Sequence, residues 1–245
     1  MPSDSAVVLI TGAGKRIGAA LAEYLHARGY AVALHYQHSK SEAEALRDRF
    51  NSTRPGSAFC VQADLANAGA RDGVVPAVIE RFGRLDVLIN NASSFYPTAI
   101  GETTDSDWDD LFDANARAPF FLAQAAAPYL RERQGCIVNL LDIFAERPKP
   151  KHSVYCMAKA AQRMLTQSLA LELAPEVRVN GIAPGAILWP ESGKPDAQKQ
   201  AIIDATPLAR IGSVADICEA AGFFIESARF STGQVLDVDG GRLLR

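Results

Sequence analysis

Cysteine is scarce and dispersed in this chain. Its four cysteines, Cys60, Cys136, Cys156 and Cys218, show no Cys-x-x-Cys spacing and no companion cluster of histidines. Neither a disulfide framework nor a structural zinc site follows from that pattern, and reduced, buried thiols are expected. An excess of either charge is missing as well. With 25 basic and 28 acidic residues interspersed, the net charge of -3 leaves no basic stripe for nucleic acid and no polybasic patch for a membrane surface. No run of about 18 apolar residues exists to cross a bilayer, and the opening residues have neither the basic nor the apolar segment of a secretory leader. Linkers, internal repeats and low-complexity stretches are absent too. What these exclusions leave is a cytoplasmic protein whose expected partner is a small molecule.

What is present is a regular alternation. Of the 245 residues, 48% are hydrophobic, enough to bury a large core, and one domain spanning 1–245 is expected. Short aliphatic runs occur at 6–10, 31–36, 57–62, 86–90, 136–141, 177–182 and 234–238. Continuous apolar runs of that length between helices read as strands covered on both faces. Helical patterns fall between them at about 16–28, 40–51, 68–82, 105–132, 153–173 and 214–227, with Pro119 and Pro128 expected to bend or break the fourth. The expected fold class is α/β, a Rossmann-type doubly wound parallel sheet of about seven strands. One long irregular stretch, 183–198, holds three prolines and two glycines, and such loops commonly serve as lids or binding loops.

The motifs gather after the strands, at the edge where open parallel sheets bind ligands. After the first comes Thr11-Gly12-Ala13-Gly14-Lys15-Arg16-Ile17-Gly18, a glycine-rich turn into a helix, whose backbone amides and helix N-terminus suit a pyrophosphate. After the second the chain reads His35-Tyr36-Gln37-His38-Ser39-Lys40, with no carboxylate before Glu42. An acid there would bond the ribose 2'-hydroxyl of NAD, so its absence beside Arg16, His38, Ser39 and Lys40 favours NADPH. Asp64, followed by Leu65, is placed either to accept from an adenine amino group or to cap a turn. The run from Asn90 through Asn91, Ala92, Ser93, Ser94 and Phe95 follows the fourth strand, where asparagine side chains can bridge neighbours, and Pro184-Gly185 follows the sixth.

Tyr155 and Lys159 lie four apart in a helical pattern, which sets phenol and ammonium on one face. An isolated phenol titrates at about 10. An adjacent cation is expected to draw it toward neutrality, where proton exchange is efficient. The pair alone is common, and a lysine lying over a half-buried tyrosine accounts for it as simply.

Together with Asn115 in the fourth helix and the closing Val238-Asp239-Gly240-Gly241, these elements resemble the short-chain dehydrogenase/reductase family from Val7 to Gly241. The resemblance implies NADPH or NADP along Gly12, Arg16, Ile17, Gly18, His35, Tyr36, His38, Ser39, Asp64, Leu65, Asn91, Ala92, Ser93, Pro184 and Gly185, with Tyr155 and Lys159 at the reactive end. It implies that Tyr155 donates a proton, Lys159 holds ribose hydroxyls and lowers the tyrosine pKa, and Asn115 anchors a relaying water.

Two departures narrow the resemblance. Arg16 stands at the middle glycine of the usual turn, and Asp142 stands at the usual catalytic serine. Both resemble pteridine reductases, as do Leu34-His35-Tyr36 and the run from Asn91 to Thr98. That subgroup implies a pterin or folate between the nicotinamide and Phe95, with Arg16, Ser93, Asp142 and Tyr155 around it, and a homotetramer. Asp142, beside the phenol, is expected to aid protonation of a ring nitrogen, with a salt bridge to Arg147 or Lys149 as its competing role. Trp189 is expected over the pocket mouth, Cys156 packed on another side of the helix, and His152 as a polar helix start.

The loop around Trp189 has no counterpart in the subgroup, His38 and Ile187 replace its basic and serine residues, and Arg245 only loosely matches a C-terminal arginine that reaches a neighbouring subunit. Reduction of dihydrobiopterin, dihydromonapterin or dihydrofolate is the expected reaction. A carbonyl or 3-ketoacyl reductase of the same family is the first alternative, against which Asp142 and Phe95 stand. A cofactor-binding regulator without turnover is the second, against which Tyr155 and Lys159 stand.

Overall fold

The aliphatic runs form strands in the computed structural model, which describes residues 5–190 and 193–245. β1 (Val7–Ile10), β2 (Ala31–Tyr36), β3 (Ala58–Gln62), β4 (Val87–Asn90), β5 (Cys136–Leu140), β6 (Arg178–Pro184) and β7 (Val235–Val238) make one sheet in the order β3-β2-β1-β4-β5-β6-β7. Every neighbouring pair is parallel, with Ile10 beside Leu34 on one side of β1 and beside Ile89 on the other. This is the expected α/β, doubly wound arrangement. The chain builds outward from β1 to β3, then returns to β4 and builds the other way, so the loops leaving β1 and β4 diverge. That divergence opens a crevice at the carboxyl edge of the sheet.

The helices are α1 (Arg16–Ala27), α2 (Lys40–Thr53), α3 (Ala68–Asp72), α4 (Val74–Phe82), α5 (Asp105–Phe112), α6 (Ala118–Glu132), α7 (Ser153–Glu172), α8 (Asp196–Asp204) and α9 (Val214–Gly222). Alternation of side chains along each strand explains how they cover both faces. Val8 and Ile10 pack with Leu21 and Leu25 of α1 and Ile217 of α9. Val7 and Leu9 point the other way, into a core with Leu122 and Leu130 of α6 and Leu169 of α7. Leu9 is fully buried, so Leu9→Ala would cost about 2–5 kcal/mol.

Three elements differ from the sequence expectation. The helix expected over 68–82 divides at Gly73, and its second half ends on Gly83 in the left-handed region, φ 72°. The stretch 105–132 starts on a capping box between Thr104 and Asp107, and its interruption is a π-helical turn at Asp113–Arg117 ahead of Pro119. A proline ring crowds the carbonyl four residues earlier, here that of Asn115, and the wider π turn relieves the crowding. Pro128 lies inside α6 without ending it. Within the irregular 183–198 stretch, α8 begins at Asp196; none of its residues is buried, so it carries no apolar period to read. Glu191 and Ser192 of that stretch, and residues 1–4 of the opening segment, lie outside the described residues. Among the described residues no helix is long and apolar enough to cross a membrane.

Candidate active site

The glycine-rich turn after β1 is braced from two sides. Gly12 has φ 62°, where a side chain is strained, and a Cβ on Gly18 would collide with the Gly12 carbonyl. His35, buried at the end of β2, accepts from the Gly12 amide at 3.2 Å through Nδ1 and bonds the Ala63 carbonyl at 3.1 Å through Nε2. These bonds select the neutral ring, and burial pushes its pKa down to about 4. Tyr36 is buried next to it, and its carbonyl accepts from the Ala63 amide at 3.1 Å. On the other side, Asn91 donates through Nδ2 to the carbonyls of Thr11 and Gly12 at 2.8 and 3.1 Å. The Thr11 hydroxyl accepts the amides of Asn91 and Ala92, each at 2.9 Å. His35, Tyr36 and Asn91 thus shape the turn from behind.

Beside the turn lies a cavity of about 480 Å³, with Gly12, His38, Ser39, Asp64 and Leu65 on its wall. Glu42 is there too, paired with Lys15 at 2.9 Å, and this hydrogen-bonded ammonium holds its carboxyl near 2. Lys40, expected among the phosphate donors, instead begins α2 away from this wall. Asp64 makes the turn bond of its two alternatives: one oxygen accepts from the Ala66 amide at 3.0 Å, in a residue that lines the cavity.

Ser93 also lines a second cavity of about 480 Å³, which has Arg16, Ile17, Phe95, Pro184 and Gly185 in its wall. Asp142, Tyr155 and Lys159 meet there. The Tyr155 hydroxyl donates to Asp142 Oδ2 at 2.8 Å, while Asp142 Oδ1 accepts from the Phe144 amide at 2.9 Å and so starts the short 3-10 turn Ile143–Ala145. Lys159, buried on α7, donates to the Leu140 carbonyl at 2.9 Å and to Gln162 Oε1 at 3.0 Å. The competing salt bridge of Asp142 is not formed: Arg147 donates to the Arg242 carbonyl at 3.1 Å, and the Lys149 ammonium lies 5.0 Å from the Phe144 ring centroid.

These contacts reverse one expectation. Burial and the Asp142 carboxylate raise the Tyr155 pKa well above 10 instead of letting Lys159 lower it. The cause is distance and direction. The carboxylate touches the hydroxyl, whereas the ammonium turns to Leu140 and Gln162 and stands 5.9 Å from the ring centroid. Burial lowers Lys159 to about 8 and raises Asp142.

Asn115, expected to anchor a relaying water, has its side chain fixed by protein partners. It lies fully buried in the π turn, donating to the carbonyls of Leu111 at 2.9 Å and Ser94 at 3.0 Å, and accepting from the Ser93 hydroxyl at 2.7 Å. Both amide protons are taken, so the Asn115 side chain pins the Ser93–Ser94 loop, and through Ser93 it bears on the wall of both cavities. Phe95 is half exposed, with its ring edge-on to Tyr155 at 4.7 Å and stacked on His152 at 4.9 Å. His152, read as a polar helix start, makes no side-chain cap bond; it is buried and bonds the Pro150 carbonyl at 2.8 Å. Trp189 reaches the site through its backbone, its carbonyl accepting from Arg16 at 3.3 Å, while Leu188 and Pro190 face the cavity. Cys156 packs beside Tyr155 and accepts from the Lys149 amide at 3.4 Å.

A family model described as enoyl-(acyl carrier protein) reductase matches residues 12–242. The chain is 39% identical to pteridine reductase 1 of Leishmania tarentolae, over 96% of this chain and 95% of that one. It is 35% identical to the 3-oxoacyl-(acyl-carrier-protein) reductase FabG of Staphylococcus aureus, over 95% and 96% of the two chains. An uncharacterized oxidoreductase of Methylorubrum extorquens is likewise 35% identical, over 97% and 98%.

The chain belongs to the short-chain dehydrogenase/reductase family. As a member of it the protein is an oxidoreductase, and its departures from the family pattern acquire a physical meaning. Arg16, at the family's glycine, stands in the left-handed region that favours glycine, with φ 54°, and adds a guanidinium to the turn. The support beneath the short-chain dehydrogenase/reductase lysine was not read from the sequence. Asn90 donates to Asn139 at 2.8 Å, Asn139 to Thr166 at 2.9 Å, and Thr166 to the carbonyl of Gln162 at 2.9 Å, whose side chain receives Lys159. One signal for it was present, since Gln162 follows Lys159 by three residues and so shares its helix face.

Proposed function

We propose that this oxidoreductase is an NADPH-dependent pteridine reductase, converting a dihydropterin or dihydrofolate to its tetrahydro form. The observation that carries the reading is the hydrogen bond from Tyr155 to Asp142 at 2.8 Å. A ketone oxygen gains negative charge as it is reduced, and a carboxylate beside it opposes that charge. A C=N group gains a proton at nitrogen, and the same carboxylate favours it. The 39% identity to a pteridine reductase supports the reading as well.

The residues fit a nicotinamide dinucleotide. The turn is shaped by Gly12 and Gly18 for close backbone approach, and Lys159 has two protein acceptors for its three protons, leaving one for a ribose hydroxyl. His38 and Ser39 supply donors where a 2'-phosphate would lie. Bound there, NADPH supplies the hydride.

Tyr155 stays protonated at neutral pH because its pKa lies well above 10, and it delivers a proton to the ring nitrogen. Asp142, raised by burial, then takes one proton from solvent and passes it to the phenolate, which restores the carboxylate and the phenol and closes the balance at one proton per reduction. The Lys159 charge steadies the phenolate while it lasts. Phe95 offers the flat pterin the face opposite His152, and His152 keeps that ring in place.

The 35% identity to a 3-oxoacyl-(acyl-carrier-protein) reductase favours a second reading, reduction of a ketoacyl group. The homotetramer belongs to the proposal on the same family resemblance, and light scattering tests it. NADPH oxidation with dihydrobiopterin, dihydrofolate and a simple ketone in parallel separates the readings. Turnover of a pterin supports the first; turnover of the ketone alone replaces it with the second.

A further inference from the structure

We propose that the substrate's side arm ends in an anion, a carboxylate or a phosphate, and that Lys149 and Arg242 receive it. The proposal rests on reading the cavity around Tyr155 as the substrate site.

The protein carries a net charge of -3, yet this cavity is cationic. Among its described lining residues, Arg16, Lys149, Lys159 and Arg242 face a single carboxylate, Asp142. Two of the four cations have partners already described: Arg16 donates to the Trp189 carbonyl, and Lys159 to Leu140 and Gln162. Lys149 and Arg242 differ. Both are partly buried; Lys149 stands over the Phe144 ring, 5.0 Å from its centroid, and among the described residues neither the ammonium nor the guanidinium makes an ion pair or donates a hydrogen bond.

Among the described residues, the nearby acids act on them only from a distance, Asp142 on both and Asp239 on Arg242, and none forms an ion pair with them. Glu146 pairs with Arg163 at 2.5 Å, and the Asp239 carboxylate accepts the amides of Gly241 and Leu243 at 2.8 and 2.7 Å. Further positive charge converges instead. Burial lowers the pKa of both groups, and like charges add to it, Lys194 and Arg242 on Lys149 and Arg147 on Arg242, against a weaker opposing pull from Asp142 and Asp239. Partly buried cations held together without a counterion cost stability, and an incoming anion relieves that cost. The guanidinium fork and the ammonium suit the oxygens of a carboxylate or phosphate. The ligand class is therefore a pterin whose arm carries glutamyl carboxylates or a phosphate ester, in preference to one with a neutral hydroxyalkyl arm.

The test compares wild type with Lys149→Gln and Arg242→Gln. Three substrates are used: dihydrofolate for the carboxylate, dihydroneopterin monophosphate for the phosphate, and dihydrobiopterin for the neutral arm. In each variant the ratio of kcat/KM for an anionic substrate to that for dihydrobiopterin is expected to fall about ten-fold, the loss of one charge-assisted hydrogen bond. The anionic substrate that shows the loss identifies its source. Ratios within two-fold of wild type in both variants overturn the proposal.

Folate binding, read by tryptophan fluorescence in the presence of NADP, supplies a second measurement that needs no turnover. If no pterin is reduced at all, the pteridine reductase reading fails by itself. The binding curves then decide the anion site: about ten-fold weaker folate binding in either variant upholds it, and binding indifferent to both substitutions removes it.

Discussion

The Tyr155 hydroxyl donates to a carboxylate oxygen of Asp142 at 2.8 Å, and this bond sets the protonation state of the site. Burial first, and then the Asp142 carboxylate at that bond, keeps the phenol protonated above its ordinary range. Tyr155 therefore begins the reaction as a donor, and Lys159 acts on the phenolate only once it forms.

His35 makes the cofactor turn sensitive to acid. Burial lowers its pKa from 6.5 to about 4, so its contribution to stability is fully present above pH 6.5 and is lost as the pH falls toward 4. The loss amounts to about 3 kcal/mol. Chemical unfolding at pH 7 and pH 4.5 checks this: wild type should lose most of that amount between the two, and His35→Gln should lose less. Because the protonated ring cannot accept the Gly12 amide, NADPH affinity should weaken over the same range.

Phe95 and His152 should behave as a graded pair. Phe95→Ala removes the stacking surface and is expected to raise the pterin KM by more than ten-fold. His152→Ala leaves the ring but removes its support at 4.9 Å, and a stacked pair worth about 0.5–1.5 kcal/mol predicts a two- to ten-fold rise. Steady-state kinetics with dihydrobiopterin measure both; an effect of His152→Ala larger than that of Phe95→Ala contradicts the arrangement.

Asn115 is expected to act through the loop it holds. Asn115→Leu breaks its bonds to Ser93, Ser94 and Leu111, leaving buried groups unpaired at about 1–3 kcal/mol for each one that water cannot reach. Urea unfolding should show the destabilisation, and the pterin KM should change more than kcat. A collapse of kcat with stability and KM preserved would instead place Asn115 in the proton path.

The sheet was legible in the sequence because runs such as Val7–Ile10 and residues 87–89 are apolar throughout, as strands covered on both faces commonly are. Helix α8 was not, because it buries nothing and leaves no period. The pairing of Tyr155 with Lys159 followed from helical spacing, and Asp142 joined them through the family resemblance, at the place of the usual catalytic serine. Their electrostatics did not follow. Spacing places Lys159 on the Tyr155 face of α7, but it does not reveal that the Leu140 carbonyl and Gln162 draw the ammonium away from the hydroxyl. The side-chain partners of Asn115 were hidden for a related reason: Ser93 and Ser94 lie in a separate loop, and only the π turn before Pro119 aims its side chain there.

The central claim is that Asp142 directs proton delivery from Tyr155 to a ring nitrogen, and Asp142→Ser tests it most directly. Dihydropterin turnover and the NADPH dissociation constant are measured together on the variant and wild type. The account predicts a fall in pterin kcat/KM of at least about a hundred-fold, within the range of a general acid–base contribution, with NADPH binding changed by less than about three-fold. Equal losses in pterin turnover and cofactor binding, or full pterin activity in the variant, would contradict it.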